Sequence, residues 1–132
     1  MAQARTSPLK EKCCDFSKDL PDTIQKELDK QGGIEGLLER IPDPSVLHAS
    51  SRIHQALADP IRLTVMYSIL SQPLCVCVIK DVVKIADSKL SYHLSILKEQ
   101  DFISGEQQGN WIIYRITDRG RQALMCTERM GK

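Results

Sequence analysis

Five cysteines are the side chains of this 132-residue chain that are best suited to chemistry. Cys75 and Cys77 are separated by one residue, whereas Cys13 and Cys14 are adjacent. The odd number and these spacings do not resemble the disulfide framework of a small secreted protein. In a reducing compartment, clustered thiols indicate metal binding or redox chemistry instead. The fifth cysteine, Cys126, is predicted to be a packing residue of a C-terminal helix.

The Cys75–Cys77 pair cannot bind one ion from the middle of a regular helix, because two residues of separation turn the side chains about 200° apart. Pro73 places the pair at the beginning of a helix, where the backbone can depart from helical geometry. Thiolates bind soft ions, so the pair suits As(III), Sb(III), Cd(II), Pb(II) or Zn(II). A regulatory ion of this kind is the only cofactor that we expect, and the fold does not require it.

Two cysteines are half of such a site, and the missing ligands are expected from Cys13 and Cys14. A site of three thiolates favours As(III) or Sb(III), and a site of four favours Cd(II), Pb(II) or Zn(II). One alternative is that the thiols form a disulfide switch. The other is that Cys75 and Cys77 are small reduced side chains of the core.

The composition is that of a folded globular domain, with 42% hydrophobic and 27% charged residues. Apolar runs stay well below the roughly 18 residues of a membrane span, and the polar N-terminus does not resemble a secretory signal. We therefore expect a cytoplasmic protein with no membrane partner. The net charge of +1 excludes general attraction to nucleic acid, so DNA binding would need a local surface. An enzyme is not expected, because the sequence shows neither a nucleophile–base–acid set nor a phosphate-binding glycine loop.

Residues 1–45 are predicted to be an N-terminal arm followed by short helices. One helix begins near Asp22 and ends at Gly32-Gly33. The next is amphipathic and is stopped by the prolines at positions 42 and 44. Its apolar residues repeat at helical spacing, and they are Ile34, Leu37, Leu38 and Ile41.

Residues 46–130 are predicted to be one DNA-binding domain that begins with four helical segments. The first runs from Val46 to Leu57, and Asp59-Pro60 begins the second. The third, from Leu74 to Ile85, carries the cysteine pair. Capping residues at Ala86-Asp87-Ser88 then start a helix with an apolar face, made by Leu90, Leu94 and Leu97.

The pattern changes after Asp101 to two β-prone runs, Phe102–Gln107 and Trp111–Ile116. Gln108-Gly109-Asn110 between them is a hairpin signal, and Thr117 caps a last helix that runs to about Met130. Two short helices followed by a hairpin place one helix in a DNA major groove with the hairpin beside it. The fold class is therefore mainly α with a β-hairpin wing (α+β), a winged helix-turn-helix.

Four stretches in this order resemble the ArsR/SmtB family of metal-sensing repressors, and together they cover about residues 46–120. His54–Leu63 resembles the opening helix junction of the family, and Leu74–Cys77 resembles its cysteine box. Ser91–Lys98 resembles the recognition helix, and Gly109–Arg115 resembles the wing. The resemblance implies a homodimer formed through the first and last core helices. It also implies an imperfect palindromic operator in double-stranded DNA, released when metal or metalloid binds.

The predicted DNA-reading surface combines short polar side chains with phosphate anchors. The resemblance places Asp87, Ser88, Ser91 and Tyr92 nearest the bases, although Asp87 could instead be only a helix cap. His93 is expected to be a structural histidine, and Trp111 and Tyr114 are expected to pack on the helices. The full predicted set is Asp87, Ser88, Lys89, Ser91, Tyr92, Ser95, Gln108 and Asn110.

Two alternatives to a metal-sensing repressor stay open. A thiol redox switch could act on the same scaffold. A winged-helix module could instead bind only proteins, because residues 80–101 hold four basic and four acidic side chains.

Overall fold

The computed structural model describes residues 20–131. The chain divides into two compact units, Met1–Ala49 and Ser50–Lys132. None of the described helices is both long and apolar enough to cross a membrane.

The first unit contains two short helices, as the sequence predicted, and the beginning of a third. Helix α1 is Asp22–Lys30, α2 is Gly33–Arg40, and α3, Pro44–Leu57, continues into the second unit. Gly32 joins α1 to α2 with a φ of 87°, a left-handed conformation that favours glycine. Every residue of α1 and α2 is at least partly exposed.

The second unit is a helical domain with a three-stranded antiparallel sheet in the order β1-β3-β2. A three-residue turn joins the short helices α5 and α6, and a hairpin follows them. The elements after α3 are α4 Pro60–Ser68, β1 Leu74–Cys75, α5 Val76–Val83, α6 Asp87–Glu99, β2 Ile103–Gln108, β3 Trp111–Ile116 and α7 Asp118–Met130.

Strand β1 is a correction to the predicted helix over Leu74–Ile85. Leu74 and Cys75 are extended and pair with Tyr114 and Ile113 of β3, so the helix begins only at Val76. The sheet satisfies backbone groups that a first helical turn would leave without partners. Periodicity within the segment does not reveal this pairing, because the partner strand lies almost forty residues away in the sequence.

The core of the second unit lies between its helices and the sheet. The predicted apolar face of α6 is confirmed, because Leu90, Leu94 and Leu97 are at most 3% exposed. Aromatic side chains from the segments that follow complete this core. Its other buried members include Val65, Met66, Ile69, Ile79, Phe102, Ile103, Tyr114 and Leu124.

The hairpin is confirmed, with a shorter connection than predicted. Gln108 pairs with Trp111, which leaves a two-residue turn in which Gly109 has a φ of 60°. Tyr114 packs in the core, but the prediction that Trp111 also packs there is wrong, since it is 54% exposed. Trp111 belongs to the last pair before the turn, beyond the part of the hairpin that the helices cover.

Helix α7 begins as predicted, with the Thr117 hydroxyl accepting a hydrogen bond from the Gly120 amide at 3.0 Å. Gly120 lies against the connection between α6 and β2, because a Cβ there would be 2.2 Å from the Phe102 carbonyl oxygen. A larger residue would therefore push the helix away from the core. Ala123 and Leu124 face inward, as expected.

The cap at the start of α4 is also confirmed. The Asp59 carboxylate accepts hydrogen bonds from the amides of Ile61 at 2.8 Å and Arg62 at 3.3 Å. Burial opposes ionisation of Asp59, but these amide donors and the charge of Arg62 outweigh it, so the pKa of Asp59 lies below the ordinary 3.8.

Asp59→Ala should lower the free energy of unfolding by about 1 kcal/mol near neutral pH, because two amides of α4 lose their acceptor. Asp59→Asn is the matched control, since its amide oxygen can still cap. A lowered pKa means that the contribution is present above 3.8 and is lost as the pH falls through the folded-state value. Urea unfolding near pH 7 and near pH 3 measures this. Equal stability of wild type and Asp59→Ala at neutral pH would contradict the assignment.

Candidate nucleic-acid interface and cysteine pair

Helix α6 has one buried face and one solvent face, the division that a DNA-reading helix needs. Leu90, His93 and Leu94 point inward, whereas Tyr92 between them is 60% exposed. The Ser95 hydroxyl donates to the Tyr92 carbonyl oxygen at 2.7 Å, one turn back on the same helix. All eight predicted contact residues are exposed, and these are Asp87, Ser88, Lys89, Ser91, Tyr92 and Ser95 on α6 and Gln108 and Asn110 at the hairpin tip.

Asp87 is not the helix cap that the sequence allowed. The N-cap of α6 is Ala86, and it provides no side-chain cap bond. The Asp87 carboxylate instead lies 2.5 Å from the Lys80 ammonium of α5, which neutralises part of its charge. The Lys80–Asp87 ion pair therefore links α5 to the beginning of α6.

A cleft of about 810 Å³ runs between α5, α6 and β3. Lys98, at its edge, lies 5.9 Å above the centre of the Tyr114 ring, and burial raises the pKa of the Tyr114 phenol above 10.0. The cleft therefore combines an apolar floor with polar walls that carry two basic and two acidic groups. Residues that line it include Cys77, Lys80, Ser91, Ser95, Lys98 and Ile112.

The hairpin tip carries little positive charge. Gln107 donates to the Gly109 carbonyl oxygen at 2.8 Å, and the Arg115 guanidinium lies 3.9 Å from the Glu106 carboxylate. Arg115 is thus partly neutralised on the strand that leads away from the tip. This is consistent with a wing that contributes weakly to phosphate binding, and it leaves α6 as the main candidate for contact with DNA.

The cysteine pair lies where β1 becomes α5. Cys75 is the half-buried N-cap of α5 with extended backbone angles of −74° and 158°, and Cys77 is exposed in the first turn. The two residues therefore do not share one regular helix. In residues 20–131, His, Cys, Asp and Glu side chains do not gather in any group of three that could hold a metal ion. Cys13 and Cys14, the expected additional ligands, lie outside the described residues.

The prediction that Cys126 is a packing residue is wrong for the single chain, where Cys126 is exposed on α7. It borders a hollow of about 360 Å³ between α3 and α7. Apolar side chains form much of that hollow, and they include Ile53, Leu57, Ala123 and Met130. Its exposure makes Cys126 a control for experiments on the other thiols.

The prediction that His93 is structural is confirmed. Its ring is only 8% exposed, and Nδ1 lies 3.0 Å from Nη1 of Arg62. Sequence reasoning missed Arg62 and the Lys80–Asp87 pair. The spacing of Asp59 and Arg62, three residues apart at the start of a helix, was the one sequence signal that pointed to the buried arginine. Periodicity alone predicts neither the burial of Arg62 nor the Lys80–Asp87 ion pair.

Comparison with known proteins identifies the scaffold. The family model described as "Bacterial regulatory protein, arsR family" matches residues 59–104, from the cap of α4 into β2. The arsenical resistance operon repressor of Bacillus subtilis is 37% identical over 75 residues, which are 56% of this chain and 71% of that protein. The chain belongs to the ArsR/SmtB family.

A second relative agrees with this assignment, and two solved structures share the fold. The transcriptional repressor SmtB of Mycobacterium tuberculosis is 30% identical over 77 residues, covering 58% of this chain and 57% of that protein. NolR from Sinorhizobium fredii superimposes with a TM-score of 0.62 at 23% identity, over 69% of this chain and 95% of that one. A homodimeric winged helix-turn-helix domain from Mycobacterium bovis superimposes with a TM-score of 0.56 at 21% identity, over 65% of this chain and 80% of that one. The predicted winged-helix fold is confirmed, and family and fold are those of DNA-binding transcriptional regulators rather than enzymes.

Lys89→Ala should weaken binding to related and unrelated duplexes to a similar extent, because a lysine beside the reading face contacts phosphates rather than base edges. The slope of log affinity against log salt should decrease by about 1. Fluorescence anisotropy with a duplex from the chain's own upstream region, at several salt concentrations, measures both. Arg121→Ala, which removes an exposed charge from α7, is the control. An unchanged salt slope in Lys89→Ala would show that Lys89 makes no phosphate contact.

Proposed function

We propose that this chain is a metal(loid)-responsive transcriptional repressor that leaves its operator when a thiophilic ion binds Cys75 and Cys77. The observation that carries the proposal is the position of the pair at the start of α5. That helix leads to α6 through a turn of three residues, 84–86. The names of the Bacillus subtilis and Mycobacterium tuberculosis relatives support a repressor, and the first also supports an arsenical signal.

The donor atoms suit soft ions such as As(III), Sb(III), Cd(II), Pb(II) or Zn(II), because thiolates prefer them. Cys77 is exposed and Cys75 is half-buried, so an ion can reach the sulfur of Cys77 from solvent. A complete site needs at least one further donor. We assign this role to Cys13 or Cys14, which would make a site of three or four thiolates.

The route from the thiols to the reading surface is short. Lys84 closes α5 in a left-handed conformation with a φ of 54°, and Ile79 anchors α5 in the core with no exposed surface. The Lys80–Asp87 pair adds a second link, but both side chains are exposed and such pairs contribute only about 0–1 kcal/mol. Both α5 and α6 pack against α4, so this shared packing must carry most of the coupling. An ion shifts the DNA-binding equilibrium only through its different affinity for the two states.

DNA binding by a homodimer completes the proposal. The hollow between α3 and α7 is largely apolar, and Met125 and Met130 of α7 are 55% and 77% exposed. Apolar area of this kind on the first and last core helices supports a two-fold interface. A dimer would present two α6 helices to an imperfect palindrome in double-stranded DNA.

Arsenite or Cd(II) should weaken operator binding by wild type by about 5–150-fold, the usual range of allosteric coupling. Cys75→Ser/Cys77→Ser should bind the same DNA with wild-type affinity but lose the response, because serine does not bind soft ions. Cys126→Ser is the matched control and should keep the response. Anisotropy titrations with and without each ion measure these effects. A double variant that still responds would contradict the assignment of the pair.

Cys13→Ser/Cys14→Ser tests the source of the remaining ligands. Loss of one bound equivalent of ion, with DNA affinity unchanged, is the expected result. Ultraviolet thiolate-to-metal absorption measures the number of sulfur ligands directly. An unchanged spectrum in this variant would remove Cys13 and Cys14 from the site.

A redox switch is the second candidate, in which a disulfide forms among Cys13, Cys14, Cys75 and Cys77; the exposed thiol of Cys77 beside Cys75 supports it. Two thiols are sufficient for a disulfide, which forms when an oxidant such as peroxide accepts two electrons and two protons. A reversible change of DNA affinity with peroxide and dithiothreitol in a chelator would favour this candidate. Ions that change the affinity under reducing conditions would favour metal sensing.

A further inference from the structure

Arg62 of α4 is a buried guanidinium, only 9% exposed, and arginine is rarely buried unless its charge is well satisfied. Nε donates to the Ala56 carbonyl oxygen at 2.7 Å, and Nη2 donates to the Gln55 carbonyl oxygen at 2.9 Å. Nη1 lies 3.0 Å from Nδ1 of His93. One side chain therefore bonds to two other helices at once.

The two carbonyl groups belong to the last turn of α3, where a helix leaves its carbonyls without internal partners. Arg62 supplies a partner for the Ala56 carbonyl and a second one for the Gln55 carbonyl, which also accepts from the Ala58 amide at 3.2 Å. Its third contact reaches the recognition helix α6. The nearest carboxylate oxygen, from Asp59, is 3.9 Å away and belongs to a group already engaged in capping α4. Arg62 consequently depends on its directed hydrogen bonds, and each of them constrains the position of a helix.

The contact also defines the protonation state of His93. A guanidinium has only donors and keeps its proton at all ordinary pH values. Nδ1 of His93 must therefore accept, which places the single ring proton on Nε2. With a second proton on Nδ1, two hydrogen-bond donors would face each other. The positive charges of His93 and Arg62 would then lie about 3.0 Å apart at a buried position.

We propose that Arg62 and His93 are positioning residues for DNA binding, which hold α6 in its reading orientation against the end of α3. The neighbour of His93 on α6 is Tyr92, the most exposed aromatic side chain of the reading surface, and their rings are 5.3 Å apart at 64°. A change at His93 is thus transmitted directly to a side chain at the DNA surface. The proposal rests on DNA binding through α6 and does not depend on the ion that the cysteines bind.

Acidification should weaken DNA binding through this contact. The charged groups around His93 are Arg62 of α4, which opposes a positive imidazole, and Asp59 at the start of α4, which favours it but is occupied by the cap. On α6 itself, the aromatic neighbour of His93 is Tyr92. A second proton on Nδ1 would remove the acceptor for Arg62, so DNA binding should weaken as the pH is lowered.

Three variants separate this role from general stabilisation. His93→Asn keeps an acceptor near the place of Nδ1 and cannot take up a proton, whereas His93→Leu leaves an N–H of Arg62 without a partner. Glu99→Gln is the matched control, because it removes the charge of the exposed pair between Arg52 of α3 and Glu99 of α6.

Operator affinity and unfolding temperature are measured for each variant between about pH 5.5 and 8 with a duplex from the chain's own upstream region. His93→Leu should bind at least about tenfold more weakly at pH 8, the effect of one unsatisfied charged donor. His93→Asn should stay within about threefold of wild type and lose the acid-dependent decrease. A wild-type pH profile in His93→Asn would overturn the proposal.

Imidazole ¹⁵N spectra of the DNA-free protein provide the second readout, which does not depend on the operator or on the folding of any variant. Nδ1 of His93 should be unprotonated at pH 8, and the Tyr92 ring signals should shift together with His93 as it titrates. The proposal would be overturned by a proton on Nδ1 at pH 8, or by Tyr92 signals that stay constant while those of His93 change with pH. Absence of DNA binding by wild type would instead contradict the proposed function, and these spectra would still decide the role of the pair.

Discussion

The burial of one face of α6 is the constraint on which the rest of the structure depends. Leu90, Leu94 and Leu97 occupy the core with almost no exposed surface, and a helix held on one side necessarily presents its opposite side to solvent. Over residues 87–95 the exposed polar side chains are short, except for Lys89 and Tyr92. The same packing that stabilises the domain therefore creates a reading surface without any buried polar group left unsatisfied among the described side chains.

Strand β1 imposes the second constraint, on the cysteine pair. Pairing of Cys75 with Ile113 of β3 holds the first sulfur at a sheet edge, while Cys77 already belongs to α5. The pair thus lies at a junction between the wing strand and the helix that precedes α6. A ligand that draws these two sulfurs together acts on the sheet and on the helix-turn-helix at the same time.

Local patterns predicted most of the fold, because helices, caps and hairpins depend on residues close in sequence. The caps at Asp59 and Thr117 and the Gly109 turn were visible in this way. Three features were not. Strand β1 depends on a partner almost forty residues away, the Lys80–Asp87 pair depends on the angle between two helices, and the exposure of Trp111 depends on how far the hairpin extends beyond the core. Sequence spacing could indicate which residues do chemistry, but not which of them meet.

Two polar contacts join α6 to earlier helices, one from Arg52 of α3 and one from Arg62 of α4, and they act very differently. Arg52 and Glu99 form an exposed ion pair, with 49% and 59% of the side chains accessible to water. Solvent screens the attraction there, and entropy opposes a fixed geometry. Arg62 and His93 meet with less than a tenth of each residue exposed. A hydrogen bond there has no competing water, and losing it leaves a charged donor unpaired. The buried contact consequently determines how α6 is held. The exposed contact is the closer ion pair, but it contributes less.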